Sequence, residues 1–160
     1  MATAQALTVS LAALGYPGFQ YLRPATGADP VDVLLTALAQ DDLEPRITAA
    51  LPWVLIHSDD IDWERLLSRA ERDRLQNRLG FLVSIASAKA ASSAKFGDRA
   101  ALLGGVEARL SRIRLEREDT LCRNSWSAAE RRWLAKNVSD QARYWRVLTD
   151  LSPHQIRYCE

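Results

Sequence analysis

Residues 61–94 read IDWERLLSRAERDRLQNRLGFLVSIASAKAASSA and carry the longest uninterrupted helical pattern in the chain. Apolar side chains recur along it at three-, four- and seven-residue intervals from Trp63 to Ala90, and arginines occupy much of the opposite side. A stripe this wide is typical of a core-facing helix. We therefore predict a central helix or helix pair, with a candidate break at residues 72–73, where Asp73 would cap the second helix.

The sequence on either side of this stretch predicts further helices. Gly15 ends a helix over 4–14, and an ordered aromatic loop over 16–27 packs Tyr16, Phe19 and Tyr21 on the body. Pro52 is expected to kink or end the helix that contains it, and Gly80 suggests a close helix crossing. Further helix starts are predicted at Asp29, Glu44, Asp60, Asp98, Ser127, Ser139 and Ser152.

These patterns predict an all-α fold, a single compact bundle-like domain of seven or eight helices. No alternating segment of strand length occurs. Residues 1–28 would pack on a body of central helices over 29–97, followed by basic C-terminal helices over 98–160. The longest strongly apolar run, 49–56, is far shorter than a membrane span, and the first residues lack the basic region of a secretory signal. A cytoplasmic protein that does not enter the membrane is expected.

The residues that usually carry chemistry are few and scattered. Cys122, Cys159, His57 and His154 are far apart, and no nucleotide-binding, zinc-protease or serine-hydrolase motif occurs. Acidic residues before the central helix are better explained by capping than by metal binding. We therefore expect no metal, no cofactor and no enzymatic activity.

The net charge of +1 conceals two oppositely charged halves. Residues 24–64 contain nine acidic residues and one arginine, whereas residues 65–160 contain nineteen Lys or Arg and eleven acidic residues. Such a split favours a charged partner, unless the two halves face each other. The leading hypothesis is a protein-interaction module whose acidic side binds a basic protein, with a second copy of the chain as an alternative partner. Its candidate contact residues are Asp41, Asp42, Glu44, Asp59 and Asp60.

DNA is the alternative partner. A helix-turn-helix-like pair around residues 62–88 would place base-reading residue types early on its second helix, and a second basic face follows over 109–117. The candidate nucleic-acid contacts are Arg74, Gln76, Asn77, Arg78, Arg109 and Arg112. Tryptophans 126, 133 and 145 lie near arginines that include Arg123 and Arg157, which indicates either internal cation–π packing or a basic aromatic surface.

Four segments resemble small bacterial proteins of mobile or defence-related loci. They read ALPWVLIHSDDIDWERLL (50–67), RLQNRLGFLVSIA (74–86), LEREDTLC (115–122) and AERRWLAKN with WRVLTDLSPHQIRY (129–137 and 145–158). Some of those proteins accompany nucleotidyltransferase-type toxins as antitoxins or accessory regulators. The resemblance covers residues 34–158 and implies a non-enzymatic role: binding and neutralising a partner such as a basic toxin or defence-complex subunit, with autoregulatory DNA binding as a further role. It assigns no individual residue, and no β-hairpin wing like that of winged-helix antitoxins is recognisable.

Overall fold

Eight α-helices form most of residues 4–22 and 27–159, the parts of the chain that the computed structural model describes. They are α1 (Ala4–Ala13), α2 (Pro30–Leu38), α3 (Pro45–His57), α4 (Trp63–Arg72), α5 (Gln76–Ala91), α6 (Gly97–Ser111), α7 (Ala128–Asn137) and α8 (Asp140–Trp145). The predicted all-α class is confirmed. One hydrophobic core draws side chains from Leu7 near the start to Cys159 at the end.

Shorter elements connect the helices. Single 3₁₀ turns occur at Pro17–Phe19, Ala94–Phe96 and Pro153–Gln155. Strands β1 (Asp119–Thr120) and β2 (Val147–Leu148) form a parallel pair, with Asp119 opposite Val147. The sequence does not predict this pair, because two residues are too few to show an alternating pattern.

Helix α5 lies at the centre of the molecule. It packs against α6, α3 and α8, and its side chains are buried around most of its circumference from Gln76 to Ala86. At Gly80 the Trp145 ring of α8 approaches the backbone so closely that an added Cβ would lie 2.3 Å from it. The predicted central position and close crossing are thus confirmed.

The predicted helix pair is present, but two of its predicted caps are wrong. Asp62, rather than Asp60, caps α4, because it directly precedes the first turn and its carboxylate accepts the Arg65 N–H at 3.1 Å. Asp73 ends α4 instead of starting α5. The chain then reverses at Arg74, whose φ of 58° is left-handed, so α5 starts only after Leu75.

Other local predictions have mixed outcomes. Asp29 caps α2, and Ser127 caps α7 through a capping box, as expected. Helix α3 does not end at Pro52 but continues to His57. The side chains on either side of Pro52 in the sequence are buried. The phenol of Tyr21, predicted to pack on the body, is instead exposed, with the residue 69% accessible. None of the helices in 4–22 and 27–159 is long and apolar enough to cross a membrane.

Candidate binding groove

The acidic half of the sequence is paired internally with the basic half. Carboxylates from 29–64 form ion pairs with arginines of α4 and α6, in four pairs: Asp29–Arg65, Asp32–Arg69, Asp59–Arg99 and Glu64–Arg109. The last three have N–O distances of 3.0, 3.3 and 2.8 Å. These pairs contribute little stability individually, but they engage four of the nine acidic residues of 24–64 with the basic half, which weakens the case for a basic partner.

The five acidic residues predicted to contact a protein do not form one free surface. Asp41 accepts a hydrogen bond from the Asn124 side chain, and Asp42 accepts from both the backbone N–H and the hydroxyl of Ser125, at 3.0 and 2.7 Å. Glu44 pairs with Arg46 at 2.8 Å, and Asp59 with Arg99, as described above. Asp60 alone among them is exposed and unpaired within the described residues.

Three of the predicted DNA contacts are wrong because their side chains are buried. Gln76, Asn77 and Arg78 are 4%, 2% and 7% accessible. Asn77 bonds both backbone groups of Leu115, and Gln76 donates to the carbonyl of Ile113. These polar residues therefore fasten the segment after α6 to the central helix, where no base edge can reach them.

Arg78 forms a buried polar node that joins three parts of the chain. Its guanidinium pairs with Asp119 at 2.9 and 3.0 Å and donates to the carbonyls of Leu38 and Gln40 at 2.8 and 3.1 Å. The Cys122 Sγ lies 3.6 Å away. The node connects the end of α2, α5 and β1, and it satisfies carbonyls at the end of α2.

Burial within this node should make Cys122 chemically inert. Burial, with a smaller contribution from Asp119, raises the pKa of the Cys122 thiol to about 11, even though Arg78 opposes the shift. At pH 8 only about one molecule in a thousand would then carry the reactive thiolate. We expect iodoacetamide to label Cys122 in the folded protein only as fast as the protein unfolds, as followed by mass spectrometry of the labelled peptide. Rapid labelling without denaturant would contradict this.

The remaining predicted DNA contacts do not form a common reading surface. Arg74 is exposed, but it lies in the left-handed turn before α5 rather than on a helix. Arg109 is paired with Glu64, and Arg112 is exposed at the end of α6. The predicted recognition helix is α5, which is buried in the core of the protein. It therefore cannot enter a DNA groove, and the helix-turn-helix prediction is wrong.

A groove of about 710 Å³ lies where the aromatic loop after α1, the first turn of α3 and the C-terminal segment meet. We call it the arginine–aromatic groove after the side chains that characterise it: Tyr16, Phe19, Tyr21, Arg46, Arg123, Trp126, Arg157 and Tyr158. Among the described residues that line it, Asp150 is the one acid, and His154 lies on the same segment. Three arginines against one carboxylate make the groove electropositive.

Two of the three arginines lie over aromatic rings within the groove. The Arg123 guanidinium lies 4.5 Å from the Trp126 ring centroid, and that of Arg46 lies 5.4 Å from Phe19. Arg46 also donates to the Tyr21 hydroxyl at 3.2 Å and pairs with Glu44. Arg123 has no ion pair in the described residues. Hydrogen bonds from Ser125 and, to a smaller extent, the Arg123 charge lower the pKa of Asp42, but no described carboxylate lies within ion-pair distance of Arg123. The guanidinium can therefore still pair with an anionic ligand, and the ring fixes its direction.

Arg157 and the first turn of α3 add to the positive potential. Arg157 is exposed and makes no ion pair in the part of the chain that the structure describes. It lies beside Tyr158, whose ring meets Tyr16 edge-on at 5.5 Å. The first turn of α3 lines the groove and carries the partial positive charge of the helix dipole.

One wall of the groove is held in place by the acidic residues that were predicted to bind a partner. The loop 121–126 carries Arg123 and Trp126. Hydrogen bonds that this loop donates to the carboxylates of Asp41 and Asp42 attach it to the connection between α2 and α3. The backbone N–H of Leu43 also donates to the Cys122 carbonyl at 2.8 Å. The hydrogen bonds from Ser125 hold the pKa of Asp42 below its ordinary value, so this carboxylate stays ionised. These acids position the site rather than contact the ligand.

The sequence does not predict the groove as a unit, although two of its features point towards it. These are the aromatic loop over 16–27 and the tryptophans that lie near Arg123 and Arg157. Their assembly could not be predicted, because the groove joins residues 16–21, 45–49, 121–126 and 149–158. Trp145 belongs to the core and Trp133 is exposed on α7 outside the groove.

His57 lies away from the groove in an aromatic stack. Its ring is stacked on Trp53 at 4.4 Å and meets Phe96 edge-on at 5.1 Å, and its Nδ1 lies 3.0 Å from the Trp53 carbonyl. Burial lowers the pKa of His57, and the nearby cations Lys95 and Arg99 lower it further. The neutral ring, with Nδ1 as donor, is therefore the form that fits the fold.

Protonation of His57 should destabilise the protein at acid pH. Because its folded-state pKa lies below the unfolded value of about 6.5, its contribution to stability is complete above that pH. The contribution is lost as the pH falls towards and through the folded-state pKa. We expect the free energy of unfolding to drop more between pH 7.5 and 5 in the wild type than in His57→Gln, measured by urea denaturation. His154→Gln, at an exposed position, should behave as the wild type does; equal slopes for all three would contradict the assignment.

Comparison of the chain with protein families, with curated proteins and with solved structures gave no match.

Proposed function

We propose that this chain is a non-enzymatic interaction module, an antitoxin-like or accessory regulator, that binds a partner protein in the arginine–aromatic groove. The observation that carries the proposal is the set of side chains in the groove. Arginine, tyrosine and tryptophan dominate the binding energy of protein interfaces, since they combine large apolar area with directed hydrogen bonding. The groove brings Arg46, Arg123, Arg157, Tyr21 and Trp126 to one concave surface.

The charge of the proposed partner is the reverse of the one that the sequence suggested. Four of the nine acids in residues 24–64 pair with arginines of α4 and α6, and three more bond to other residues as described above, so few are left for a basic protein. The groove instead offers Arg123 and Arg157 without ion pairs among the described residues. We therefore propose an acidic surface or segment on the partner.

The antitoxin-like role rests on the resemblance of segments within residues 34–158 and remains part of the proposal. A cytoplasmic location is proposed with it. Cys122 and Cys159 are both buried as thiols, which supports a reducing compartment.

The test is affinity capture from the native host at low salt, with nuclease added. The tagged wild type is compared with Arg123→Gln/Arg157→Gln, which removes two positive charges from the groove. Arg132→Gln/Lys136→Gln is the matched control, because it removes the same charge from exposed positions on α7. We expect one protein partner in stoichiometric amount with the wild type and the control, and loss of that partner with the groove variant.

Two results would overturn the proposal. Retention of the same partner by the groove variant would show that another surface binds it. Recovery of nucleic acid alone, with every protein lost after nuclease treatment, would point to a nucleic-acid-binding regulator instead. Thermal denaturation of all three proteins verifies that both double variants remain folded.

A further inference from the structure

We propose that the occupant of the arginine–aromatic groove is a short extended acidic segment of the partner, with aromatic side chains among its carboxylates. This inference rests on the proposed function and specifies what the groove recognises. It follows from the chain segments that supply the arginines, from the rings beside them and from the absence of an ion pair at Arg123 and Arg157 within the described residues.

The arginines come from three separate segments that line the groove, and two of them lie over aromatic rings. Arg46, on the first turn of α3, lies over Phe19 of the aromatic loop and donates to the Tyr21 hydroxyl, whereas Arg123 lies over Trp126 in the loop after β1. Arg157 lies in the C-terminal segment next to Tyr158. Three separate chain segments therefore each present one guanidinium, and aromatic rings line the groove among them. Spaced cations of this kind match carboxylates spaced along a peptide.

A compact phosphate group fits this arrangement less well. Phosphate sites gather several donors on one small anion, usually with a glycine-rich backbone that can approach it closely. Gly18 is the one glycine that lines this groove, and an added Cβ there would meet the neighbouring Tyr16 ring at 2.6 Å, so its backbone is covered by that ring. The Arg46 guanidinium already donates to Glu44 and Tyr21, so fewer of its N–H groups are left for a shared anion.

Aromatic side chains on the segment follow from the exposed rings. Tyr21 and Tyr158 are 69% and 43% accessible, although both line a concave surface. Rings of a ligand could stack on them or meet them edge-on, and each such pair adds binding energy beyond the buried area. Arginine can stack on an aromatic ring and at the same time donate hydrogen bonds from its N–H groups to a carboxylate. A segment carrying both groups uses both properties of the groove.

The test uses isothermal titration calorimetry with three synthetic hexapeptides and the full chain. The first alternates Glu and Tyr, the second Gln and Tyr, and the third Glu and Ala. We expect the Glu–Tyr peptide to bind with one-to-one stoichiometry and to weaken with added salt. The Gln–Tyr peptide should bind about tenfold more weakly and the Glu–Ala peptide about fivefold more weakly. Arg123→Gln/Arg157→Gln should reduce Glu–Tyr binding by about tenfold, whereas Arg132→Gln/Lys136→Gln should not.

Equal affinity for the Glu–Tyr and Gln–Tyr peptides would overturn the inference without any variant being needed. Tighter binding of ADP or inorganic phosphate, abolished by the same groove variant, would overturn it in favour of a phosphate ligand. Different results would contradict the proposed function and the proposed acidic occupant. If the host partner is lost with the groove variant but acidic peptides are not preferred, the occupant is wrong and the proposed function stands. If the peptides bind but no host protein depends on the groove, the proposed function is wrong.

Discussion

Replacing Arg78 with methionine should lower the free energy of unfolding by about 3–5 kcal/mol, the usual cost of removing one partner of a buried ion pair. The substitution leaves Asp119 without its partner and the carbonyls of Leu38 and Gln40 without their donor, in a node whose Arg78 and Asp119 side chains are 8% and 19% exposed. Methionine retains the apolar stem, so lost packing contributes little. Urea denaturation followed by circular dichroism measures the change.

Arg112→Met is the matched control for this variant. It removes the same charge from an exposed arginine whose side chain makes no hydrogen bond or ion pair in the described residues, and we expect a change within about 0.5 kcal/mol. A small effect of Arg78→Met would contradict the structural role of the node. Unchanged stability together with a loss of DNA binding would restore the interpretation of Arg78 as a base contact.

Replacing Gly80 with alanine should cost about 2–3 kcal/mol, even though alanine is the better helix former by about 1 kcal/mol. The added methyl group would lie 2.3 Å from the Trp145 ring, and that ring is fully buried and cannot move aside without disturbing the packing of α8 on α5. The expected result is a large drop in the melting temperature in circular dichroism or calorimetry.

Gly104 provides the opposite case in a comparable helical setting. It lies within α6, and apart from its chain neighbours and the backbone of its own helix no atom of the described residues lies within 4 Å of the position that its Cβ would take. Gly104→Ala should therefore raise the free energy of unfolding by up to about 1 kcal/mol. In a Trp145→Leu background the cost of Gly80→Ala should shrink, because the clash is relieved. If Gly80→Ala lowers the free energy of unfolding by the same amount in the Trp145→Leu background, the Trp145 ring is not the cause of the destabilisation.

The stability of the core affects the groove, because buried core residues position the loop that forms one of its walls. Arg78 fixes Asp119 and lies beside Cys122, and the loop that begins there carries Arg123 and Trp126. On the other side Asp42 fixes Ser125 in the same loop. Loss of the node is therefore expected to weaken ligand binding indirectly, and groove variants must be compared at matched stability.

The sequence by itself determined the helices of this protein and most of their starts. Period and capping are local properties, so Asp29, Ser127 and Ser139 each cap a helix where their spacing to the following residues predicts one. Gly80 likewise marked a close crossing, because a glycine inside a strongly apolar helix leaves room for a neighbouring element to approach its backbone.

Tertiary structure alone decided which polar residues face water and which are buried. Gln76, Asn77 and Arg78 have the composition of a DNA-reading helix start, but backbone groups of residues 38, 40, 113 and 115 complete their hydrogen bonds inside the protein. Four ion pairs between the acidic and basic halves join residues 36 to 45 positions apart. The arginine–aromatic groove joins segments more than 100 residues apart. Contacts between residues so far apart in sequence are determined by how the helices pack. They do not produce a periodic pattern in the sequence.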